Sequence, residues 1–433
     1  MKKVLIITYY WPPMGGGGVQ RWLKMTKYLR EYGWEPIICT TENGEASVID
    51  EGMLKEIPKA IETLRVPIWE PFSIYKRLTK KKKDEKLVLG MDQDSKESSF
   101  VHNLSVWVRG NLFIPDARKF WISPTSKFLI NYLKENKIDA IISTGPPHST
   151  HMIAMKVVAK TKTPWLSDFR DPWTNIDFYH KLKLTKWGDR KHKKMELQVL
   201  KKANQLVTVS WSWAKDFHRI SGRMPMVITN GFDPADFTNL TDVVMDDQFT
   251  ITHAGSLNED RNPYSLWPVL KELCEEEEGF RADLQIKFIG QVALKSVEAI
   301  DKNDLNSNFN MIDHLPHEKV IKEIIKSQVL LLPLNDTPNI DGVVPGKLYE
   351  YIGAQRPILC IGKSDGDAAK ILNETEAGIV CDFNDTTSLK KVVKEYYLHY
   401  KNNSLTVKSK NYEKYSRRLL AGQIAEELNK IVI

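Results

Sequence analysis

Residues 4–18 read VLIITYYWPPMGGGG: a short apolar run, two prolines and four consecutive glycines. The run at residues 4–8 is rich in β-branched side chains, which is typical of a parallel strand covered on both faces. Beyond the glycines, apolar side chains recur at helical spacing, and residues 36–40 form a second apolar run. The helical positions are Val19, Trp22, Leu23, Met25 and Leu29. The chain therefore opens with a predicted strand–helix–strand unit, which indicates a parallel sheet.

The same alternation of short apolar runs and amphipathic segments continues along the chain. Further strands are predicted at residues 139–144, 164–168, 206–210, 249–253, 284–289, 329–332, 358–361 and 378–381. Helices are predicted at residues 150–160, 196–203, 264–278, 317–326, 346–354, 366–374, 386–400 and 412–431. This order is that of an α/β protein. We expect two Rossmann-like domains facing across a cleft, with ligands at the carboxyl ends of the strands.

Charge and tryptophan are distributed unevenly between the two halves. The 433 residues carry a net charge of +7. Residues 1–230 hold 39 basic and 23 acidic side chains, whereas residues 231–433 hold 23 basic and 32 acidic ones. Eleven of the 12 tryptophans lie in the first half. The asymmetry predicts two domains of opposite electrostatic character, with a junction in the polar stretch at 230–248.

Several classes of protein are excluded by composition. A hydrophobic content of 42% excludes a disordered chain. Four scattered cysteines without a CxxC pair argue against a disulfide framework and a zinc site. No apolar run reaches the roughly 20 residues that span a bilayer, and the prolines and glycines after residue 11 do not suit a signal peptide. We expect a cytoplasmic protein with an exposed, charged insertion at 76–100.

The glycine run Gly15–Gly18 is the first candidate site. Glycines let backbone N–H groups approach an oxyanion, and a helix N-terminus adds partial positive charge. The run matches neither the GxGxxG fingerprint nor a Walker A loop. The alternative is a loop that only makes a tight connection from strand to helix.

Two clusters in the second half are typical of diphosphate binding. A predicted strand ends in Gly255-Ser256, and Arg261 follows a few residues later. Farther along, Gly346 and Lys347 open a predicted helix, and Glu350 lies one turn onward, where a carboxylate could bind a ribose diol. The alternative is an ordinary turn with exposed helix residues.

Two further clusters follow strands of the first half. Ser143-Thr144-Gly145-Pro146-Pro147-His148 ends one strand, and His148 could donate to a substrate hydroxyl. Asp168, Arg170 and Asp171 end another and could bind polar hydroxyls of an acceptor. A lone histidine is more often structural, and the carboxylates could equally form an ion-pair network. No residue spacing suggests a metal site.

Taken together, these stretches resemble the retaining glycosyltransferases of family four, which have the two-domain GT-B fold. The similarity is to enzymes of bacterial cell-surface polysaccharide assembly. The resemblance covers nearly the whole chain and rests on residues 4–18, 143–148, 168–173, 230–233, 255–261 and 344–351. It implies an acceptor-binding domain at 1–232, a nucleotide-sugar-binding domain at 233–410, and a C-terminal helix at 411–433 that crosses back to the first domain.

The resemblance also implies roles for individual residues. Arg261 and Lys347 would hold the donor diphosphate, together with Gly346, Gly255 and Ser256. Glu350 would bind the nucleotide ribose. Eight residues before it the family has a second Glu, but this chain has Gly342 with Asp341 adjacent. Asp341 would substitute, or the backbone amides of Gly342, Val343 and Val344 would contact the donor sugar.

In the first half, His148 resembles the histidine that contacts the donor sugar near its anomeric carbon. Gly17 and Gly18, with Gly16, match the loop near the phosphates and the acceptor. Asp168, Arg170 and Asp171 would belong to the acceptor side.

The implied reaction transfers a sugar from a nucleoside-diphosphate sugar, with a UDP-sugar as the expected donor, to a glycan or polyprenyl-diphosphate-linked acceptor. No metal and no cofactor is expected, because cations and a helix N-terminus would stabilise the leaving diphosphate. One alternative is a nucleotide-sugar epimerase of the same fold. Another is a basic membrane-binding module without enzymatic activity. No nucleic-acid partner is expected, since no RNA-binding signature accompanies the charge.

Basic residues cluster at 76–86 and 181–202, near Trp173 and Trp187. Lysine and arginine are attracted to anionic lipid, and tryptophan favours the bilayer interface. This pattern predicts peripheral binding to the inner face of the plasma membrane, which would suit a lipid-linked acceptor. The alternative is a solvated surface with no membrane role.

Overall fold

The computed structural model describes residues 1–46, 48–70, 99–238 and 243–432. The basic cluster at 76–86, and nearly all of the insertion expected at 76–100, lie outside these ranges. The chain divides into two compact units. The first consists of Met1–Thr229 with Leu420–Ile433, and the second of Asn230–Leu419.

The first unit is built on one parallel sheet. Its strands are β1 (Lys2–Ile7), β2 (Trp34–Thr41), β3 (Glu62–Val66), β4 (Ala140–Gly145), β5 (Trp165–Phe169), β6 (Gln205–Thr208) and β7 (Met226–Val227). They pair in the order β3-β2-β1-β4-β5-β6-β7, and every pairing is parallel. The helices are α1 (Gly17–Leu29), α2 (Ser99–Asn111), α3 (Ile122–Glu135), α4 (Ser149–Thr161), α5 (Lys186–Lys202) and α6 (Trp211–Ser221).

The centre of this sheet is the apolar run with which the sequence opens. Val4, Leu5, Ile6 and Ile7 are fully buried, and Ile6 pairs with Ile38 on one side and Ile142 on the other. Helix ends follow local rules. The Thr185 side chain, for example, accepts from the Gly188 N–H at the start of α5.

The second unit repeats this construction. Its strands are β8 (Phe249–Ala254), β9 (Leu284–Ile289), β10 (Phe309–Ile312), β11 (Val329–Pro333), β12 (Ile358–Ile361) and β13 (Gly378–Cys381). They form a parallel sheet in the order β10-β9-β8-β11-β12-β13. The helices are α7 (Leu266–Glu276), α8 (Phe280–Asp283), α9 (Leu294–Lys302), α10 (His317–Lys326), α11 (Gly346–Gly353), α12 (Asp367–Thr375) and α13 (Thr386–Lys401). A last helix, α14 (Arg417–Ile431), begins in this unit and continues, from Leu420, in the first.

Both sheets reverse their strand order at one point, between β1 and β4 and between β8 and β11. In open parallel sheets, the crevice beyond the carboxyl ends of such a strand pair is the usual ligand site. The predicted α/β class, with two parallel-sheet domains, is therefore confirmed. Within the described ranges, no helix has the length and apolar character required to cross a bilayer.

Candidate functional site

The glycine run of the first unit ends the loop that joins β1 to α1 and is anchored at both ends. The N–H of Gly15 donates to the Val48 carbonyl at 2.8 Å, and α1 begins at Gly17. Gly16 has a φ of 89°, a left-handed backbone that favours glycine. A Cβ on Gly16 or Gly17 would meet no atom within 4 Å, whereas one on Gly18 would lie 2.9 Å from the Tyr10 ring. Gly18 is thus required by packing, and Gly16 and Gly17 leave open space.

Arg170 joins the glycine run to the loop that follows β4. Its Nη1 donates to the Gly18 carbonyl at 2.7 Å, and its Nη2 donates to the Pro146 carbonyl. The side chain is buried, with the guanidinium 6.0 Å from the centre of the Tyr10 ring. Arg170 therefore holds together the loops at the carboxyl ends of three strands.

Asp168 is fully buried, and its carboxylate accepts four hydrogen bonds. Arg21 donates from Nε at 3.1 Å and from Nη2 at 2.9 Å, while Trp22 Nε1 and Thr144 Oγ1 each donate at 2.8 Å. Burial alone would raise the pKa of Asp168, but the charge of Arg21 and these donors hold it below its usual value. These contacts match the alternative in which the Asp168 carboxylate belongs to an ion-pair network rather than to an acceptor site. No sequence pattern pointed to Arg21, which also donates to the carbonyls of Ile228 and Thr229.

Asp171 differs from Asp168 although the two residues share a loop. It is half-buried and has no hydrogen-bond partner in the described part of the chain. Burial raises the pKa of Asp171, opposed by Arg170 and supported by Asp177. A desolvated carboxylate with free acceptor positions can take a hydroxyl proton as a hydrogen bond.

His148 lies at the start of α4 and is 7% exposed. Its ring is parallel to that of Trp173, with the centroids 4.5 Å apart. Its Nδ1 is buried without a partner in the described ranges. Burial first, and then the neighbouring His151, Arg170 and His192, lower the pKa of His148, so the ring is neutral at pH 7. A neutral imidazole can donate one hydrogen bond to a sugar hydroxyl without carrying charge.

His151, beside His148, belongs to a buried hydrogen-bond chain. Trp165 Nε1 can only donate, and it donates to Ser143 Oγ at 2.8 Å. Ser143 Oγ also lies 2.8 Å from His151 Nδ1, within hydrogen-bond distance. No sequence pattern indicated this arrangement.

In the second unit, Lys347 lies against the end of β8. Its Nζ is 3.3 Å from His253 Nε2. Gly255, with a φ of 108°, makes this possible, since a Cβ there would lie 2.5 Å from the Lys347 Cε and Nζ atoms. Burial, followed by the positive charge of Arg261, lowers the pKa of Lys347 to about 7, although Glu350 opposes this.

Arg261 is held by a residue that the sequence did not single out. Its Nε donates to Asn335 Oδ1 at 2.9 Å, and Asn335 lies two residues beyond β11. Burial lowers the pKa of Arg261. Arg261, in the loop after β8, and Lys347, in the first turn of α11, therefore lie close enough at this edge of the sheet for Arg261 to lower the pKa of Lys347.

Helix α11 begins at the exposed Gly346, where a Cβ would meet no atom within 4 Å. The helix is fixed to β8 because the Ala254 N–H donates to the Tyr351 hydroxyl at 2.9 Å. Glu350 lies on this helix, one turn from Gly346. Ser256, beside Gly255, is exposed.

The residues expected to contact a donor sugar form the turn before α11. Asp341 is exposed, and its carboxylate accepts from Lys363 Nζ at 2.5 Å. Gly342 is buried, and Val343 and Val344 are half-buried. Each unit thus collects its sequence-predicted residues at the carboxyl edge of its own sheet.

Trp173 lies beside the basic cluster at 181–202, as expected, because its indole donates to His192 of that cluster, but the side chain is not exposed, as a place at a membrane interface requires. The side chain is 3% exposed, packed on His148. Trp187, by contrast, is 58% exposed. Trp173 packs inside the first unit because it follows β5, and the end of β5 lies at the same edge of the sheet as His148.

No protein-family model matches the chain, and no curated protein matches its sequence. Solved structures match over almost its entire length. Sucrose-phosphate synthase from Thermosynechococcus elongatus is 11% identical, with a TM-score of 0.64 over 99% of both chains. HepE from Anabaena, in complex with UDP-glucose, is 12% identical, with a TM-score of 0.59 over 99% of this chain and 100% of that one. UDP-GlcNAc 2-epimerase from Methanocaldococcus jannaschii is 12% identical, with a TM-score of 0.54 over 99% of both chains.

Identities this low show the fold alone. The structures that match include glycosyltransferases and epimerases, so the likeness does not choose between those activities. The chain has two Rossmann-like α/β domains and the GT-B fold.

Proposed function

We propose that the protein is a retaining, metal-independent glycosyltransferase of the hexosyltransferase type. It would transfer a sugar from a nucleoside-diphosphate sugar to a glycan or polyprenyl-diphosphate-linked acceptor in cell-surface polysaccharide synthesis. The observation that carries the proposal is the proximity of two cations, Lys347 and Arg261, at the carboxyl edge of the second sheet, next to the start of α11. UDP is the nucleotide we propose, and a structure of the same fold, HepE, is described in complex with UDP-glucose.

The donor would be bound by the second unit. Lys347 and Arg261 would neutralise the diphosphate, and the N–H groups at Gly346 would add hydrogen bonds. Glu350 would accept from the ribose hydroxyls. Lys347, Arg261 and the helix start carry positive charge where the leaving diphosphate gains negative charge, which lowers the barrier to leaving. This arrangement needs neither a metal ion nor a cofactor.

The sugar and the acceptor would be contacted by the remaining residues. Asp341 and the amides of Gly342, Val343 and Val344 would bind donor-sugar hydroxyls. His148, neutral at pH 7, would donate to a sugar hydroxyl near the anomeric carbon. Asp171 would accept from the acceptor hydroxyl, beside the open loop at Gly16 and Gly17.

A ligand screen tests the donor proposal. Melting temperatures are measured with UDP, GDP, ADP and the corresponding sugars, since a ligand of the folded state raises the melting point. We expect UDP to give a rise that Arg261→Ala and Glu350→Ala both remove. Arg219→Ala is the control, because Arg219 forms an exposed ion pair with Asp216 in the other unit. Shifts that survive both site substitutions would place the nucleotide elsewhere.

An epimerase is the second candidate, because UDP-GlcNAc 2-epimerases match the fold over the same length. The two activities differ in the fate of the nucleotide. A transferase releases UDP only when an acceptor is added, whereas an epimerase converts the sugar without one. Measuring both UDP and the sugar isomer, with and without acceptor, separates them.

We also propose that an anionic membrane is a partner and that the protein is peripheral at its inner face. The supporting surface, here called the aromatic–lysine patch, consists of Trp69, Trp107, Leu112, Phe120 and Trp187 with Lys119 and Lys191. Three pairs of its members are in contact. The Trp69 and Phe120 rings are 4.7 Å apart, Lys119 donates to the Leu112 carbonyl at 2.6 Å, and Lys191 Nζ is 4.7 Å from the centre of the Trp187 ring.

Exposed aromatic rings next to lysines match a bilayer interface, where rings enter the headgroup region and cations meet anionic lipid. Co-sedimentation with vesicles of phosphatidylglycerol at low salt tests this. We expect binding that is lost with phosphatidylcholine and weakened at least fivefold by Trp107→Ser with Trp187→Ser. Ile220→Ser, at an exposed apolar residue of α6, is the control. Equal sedimentation of the double variant and the control would exclude the patch.

A further inference from the structure

The His148 ring stacks on the indole of Trp173, and the opposite edge of that indole contacts a second histidine, His192. The Trp173 ring is parallel to His148, with an interplanar angle of 0°. On its other edge, Trp173 Nε1 donates to His192 Nδ1 at 3.1 Å, and His192 Nε2 is 3.1 Å from the Gly110 carbonyl. The three rings and the carbonyl form one continuous chain of contacts from α4 to α2.

The contacts determine where the proton of His192 lies. An indole N–H can only donate, so Nδ1 of His192 must accept. A neutral imidazole then carries its proton on Nε2, which suits donation to the Gly110 carbonyl. His192 is 4% exposed, so water does not compete for either nitrogen. The ring is therefore fixed in one tautomer and one orientation.

The loop that carries Trp173 is also bound to α5, the helix on which His192 lies. Thr174 donates from its N–H at 3.3 Å and from its hydroxyl at 2.5 Å to the Glu196 carboxylate. Glu196 lies one turn after His192 on α5. The helix thus holds the backbone beyond Trp173 with one side chain and the indole edge with another.

We propose that His192 is a positioning residue for His148, acting through Trp173, and that protonation of His192 releases the platform. A protonated His192 would carry hydrogen on both nitrogens. Its Nδ1–H would then face the Trp173 N–H, so two donors would meet and the indole would lose its partner. His148 would lose the parallel surface that fixes its ring plane. The inference rests on the proposed function for its kinetic readout.

The surroundings of His192 determine how readily it is protonated. The titratable groups whose charges act on it are Asp116, Asp189, Lys191 and His148. Tyr179 packs against its ring, and Glu196 lies one turn onward on α5. Burial lowers the pKa of His192, opposed by its hydrogen bond to Gly110 and by Asp116 and Asp189. Release is therefore expected below pH 6.5, the ordinary histidine value.

Three variants test the inference. His192→Gln can accept from Trp173 and donate to Gly110 but cannot be protonated. His192→Leu can do neither, and Trp173→Phe keeps a ring for His148 but lacks the donor. His180→Leu is the control, because His180 is an exposed histidine in the preceding turn. Sugar transfer to acceptor is followed from pH 5 to 8, and UDP binding is measured alongside.

We expect the wild type to lose kcat as the pH falls below 6.5 and His192→Gln to lose much less. His192→Leu and Trp173→Phe should each reduce kcat about tenfold at pH 7.5, with the UDP dissociation constant changed less than twofold. The double variant should be no worse than the worse single one, since both break one contact. A wild-type pH profile and kcat in His192→Leu would overturn the inference.

A second readout does not depend on the reaction. In protein labelled with 15N only at histidine, the long-range 1H–15N spectrum reports the tautomer of each ring. We expect the resonances absent from His192→Gln to be those of the Nε2–H form. The Nδ1–H form would overturn the inference even if the enzyme transfers sugar. Absence of any transfer by the wild type, with the Nε2–H form present, would instead count against the proposed function.

Discussion

Lys347 Nζ lies 3.3 Å from Nε2 of His253, and the other ring nitrogen of His253 lies 3.0 Å from the Leu331 carbonyl. The carbonyl requires a donor, so Nδ1 carries the proton and Nε2 is free to accept from the ammonium. Burial first, and then Lys347, lower the pKa of His253 and keep the ring neutral. A neutral histidine thus orients the main cation of the candidate donor site without adding charge of its own.

Gly255→Ala is expected to abolish UDP binding. The new Cβ would lie 2.5 Å from Lys347 Cε and Nζ, so the lysine must leave its place, and the φ of 108° adds strain of roughly 1–3 kcal/mol. Calorimetry should show the dissociation constant raised more than tenfold. Gly222→Ala is the matched control, with a φ of 75° and no atom within 4 Å of its Cβ. Equal UDP affinity in the two variants would contradict the assigned role of Gly255.

UDP affinity is expected to fall as the pH rises from 7.5 to 9. The pKa of Lys347 is about 7, so the donor-free side chain loses its charge in this range, and binding must restore the proton. The loss should approach tenfold per pH unit, since one pKa unit corresponds to 1.36 kcal/mol. Calorimetry in buffers of different ionisation enthalpy should show proton uptake at pH 8. Lys347→Met should bind weakly and show no such slope.

The lowered pKa of Lys347 also makes the stability of the donor-free protein depend on pH. The folded-state pKa lies below that of the unfolded chain, so the unfolded chain binds more protons between about pH 7 and 10. The contribution of Lys347 to the free energy of unfolding should therefore rise with pH across this window. Urea titrations of the wild type and Lys347→Met, compared at pH 7 and 9, measure the difference.

Asn335→Leu is expected to raise the UDP dissociation constant about fivefold to tenfold. Asn335 Oδ1 accepts from Arg261 Nε at 2.9 Å, and a hydrogen bond to a charged group contributes roughly 1.5 kcal/mol or more. The arginine keeps its charge but loses its orientation. Asn303→Leu is the control, because the Asn303 side chain donates to the Ala299 carbonyl of its own helix, α9. An unchanged dissociation constant would show that Arg261 does not need this partner.

Asp168→Asn is expected to destabilise the first unit rather than to impair acceptor use. The substitution would leave the buried guanidinium of Arg21 without its carboxylate, which costs about 3–5 kcal/mol. Because the pKa of Asp168 is held low, its contribution to stability is present above the ordinary carboxyl range and is lost only as the pH falls below that range. Asp171→Asn, at a carboxylate that forms no hydrogen bond with the described residues, should reduce transfer but keep the urea midpoint. Reduced transfer with an unchanged urea midpoint in Asp168→Asn, and a lowered midpoint in Asp171→Asn, would indicate that Asp168 is the residue that binds the acceptor.

Asp341→Asn is expected to lower kcat at least tenfold while UDP binds normally. The proposed contact is with the donor sugar, which UDP lacks. Asp365→Asn provides a close control, since Asp365 is also exposed and lies 3.3 Å from the same Lys363. Equal activity of the two variants would show that Asp341 pairs with Lys363 but does not contact the donor sugar.

The central strands could be predicted from the sequence because burial on both faces requires continuous apolar runs. The predicted limits at 284–289 and 358–361 are those of the central strands β9 and β12, and the edge strand β13 was also predicted, at 378–381. Three strands at sheet edges were missed, β3, β7 and β10. Edge strands meet solvent, and Asn310 and Met311 in β10 are exposed, so no apolar run marks them. The helix predicted at 196–203 is the end of the longer α5, whose first turns are rich in lysine.

The loops of the candidate site could be predicted because glycine and proline mark strand ends. Their supporting contacts could not. Asn335 is 74 residues from Arg261, and Asp168 is 147 residues from Arg21, so neither pairing leaves a local pattern. Trp173 appeared beside Asp171 in the sequence, but its stacking on His148 depends on the pairing of β4 with β5.

The division of the chain has a consequence for its synthesis. The second unit is one continuous segment, Asn230–Leu419, whereas the first is completed only by Leu420–Ile433. During translation the second unit can finish folding while the first still lacks the last piece of its own core, including the buried Leu420, Ile424 and Leu428. The lysine-rich first unit therefore begins to fold before the second unit but gains Leu420–Ile433 only after the second unit has been synthesised.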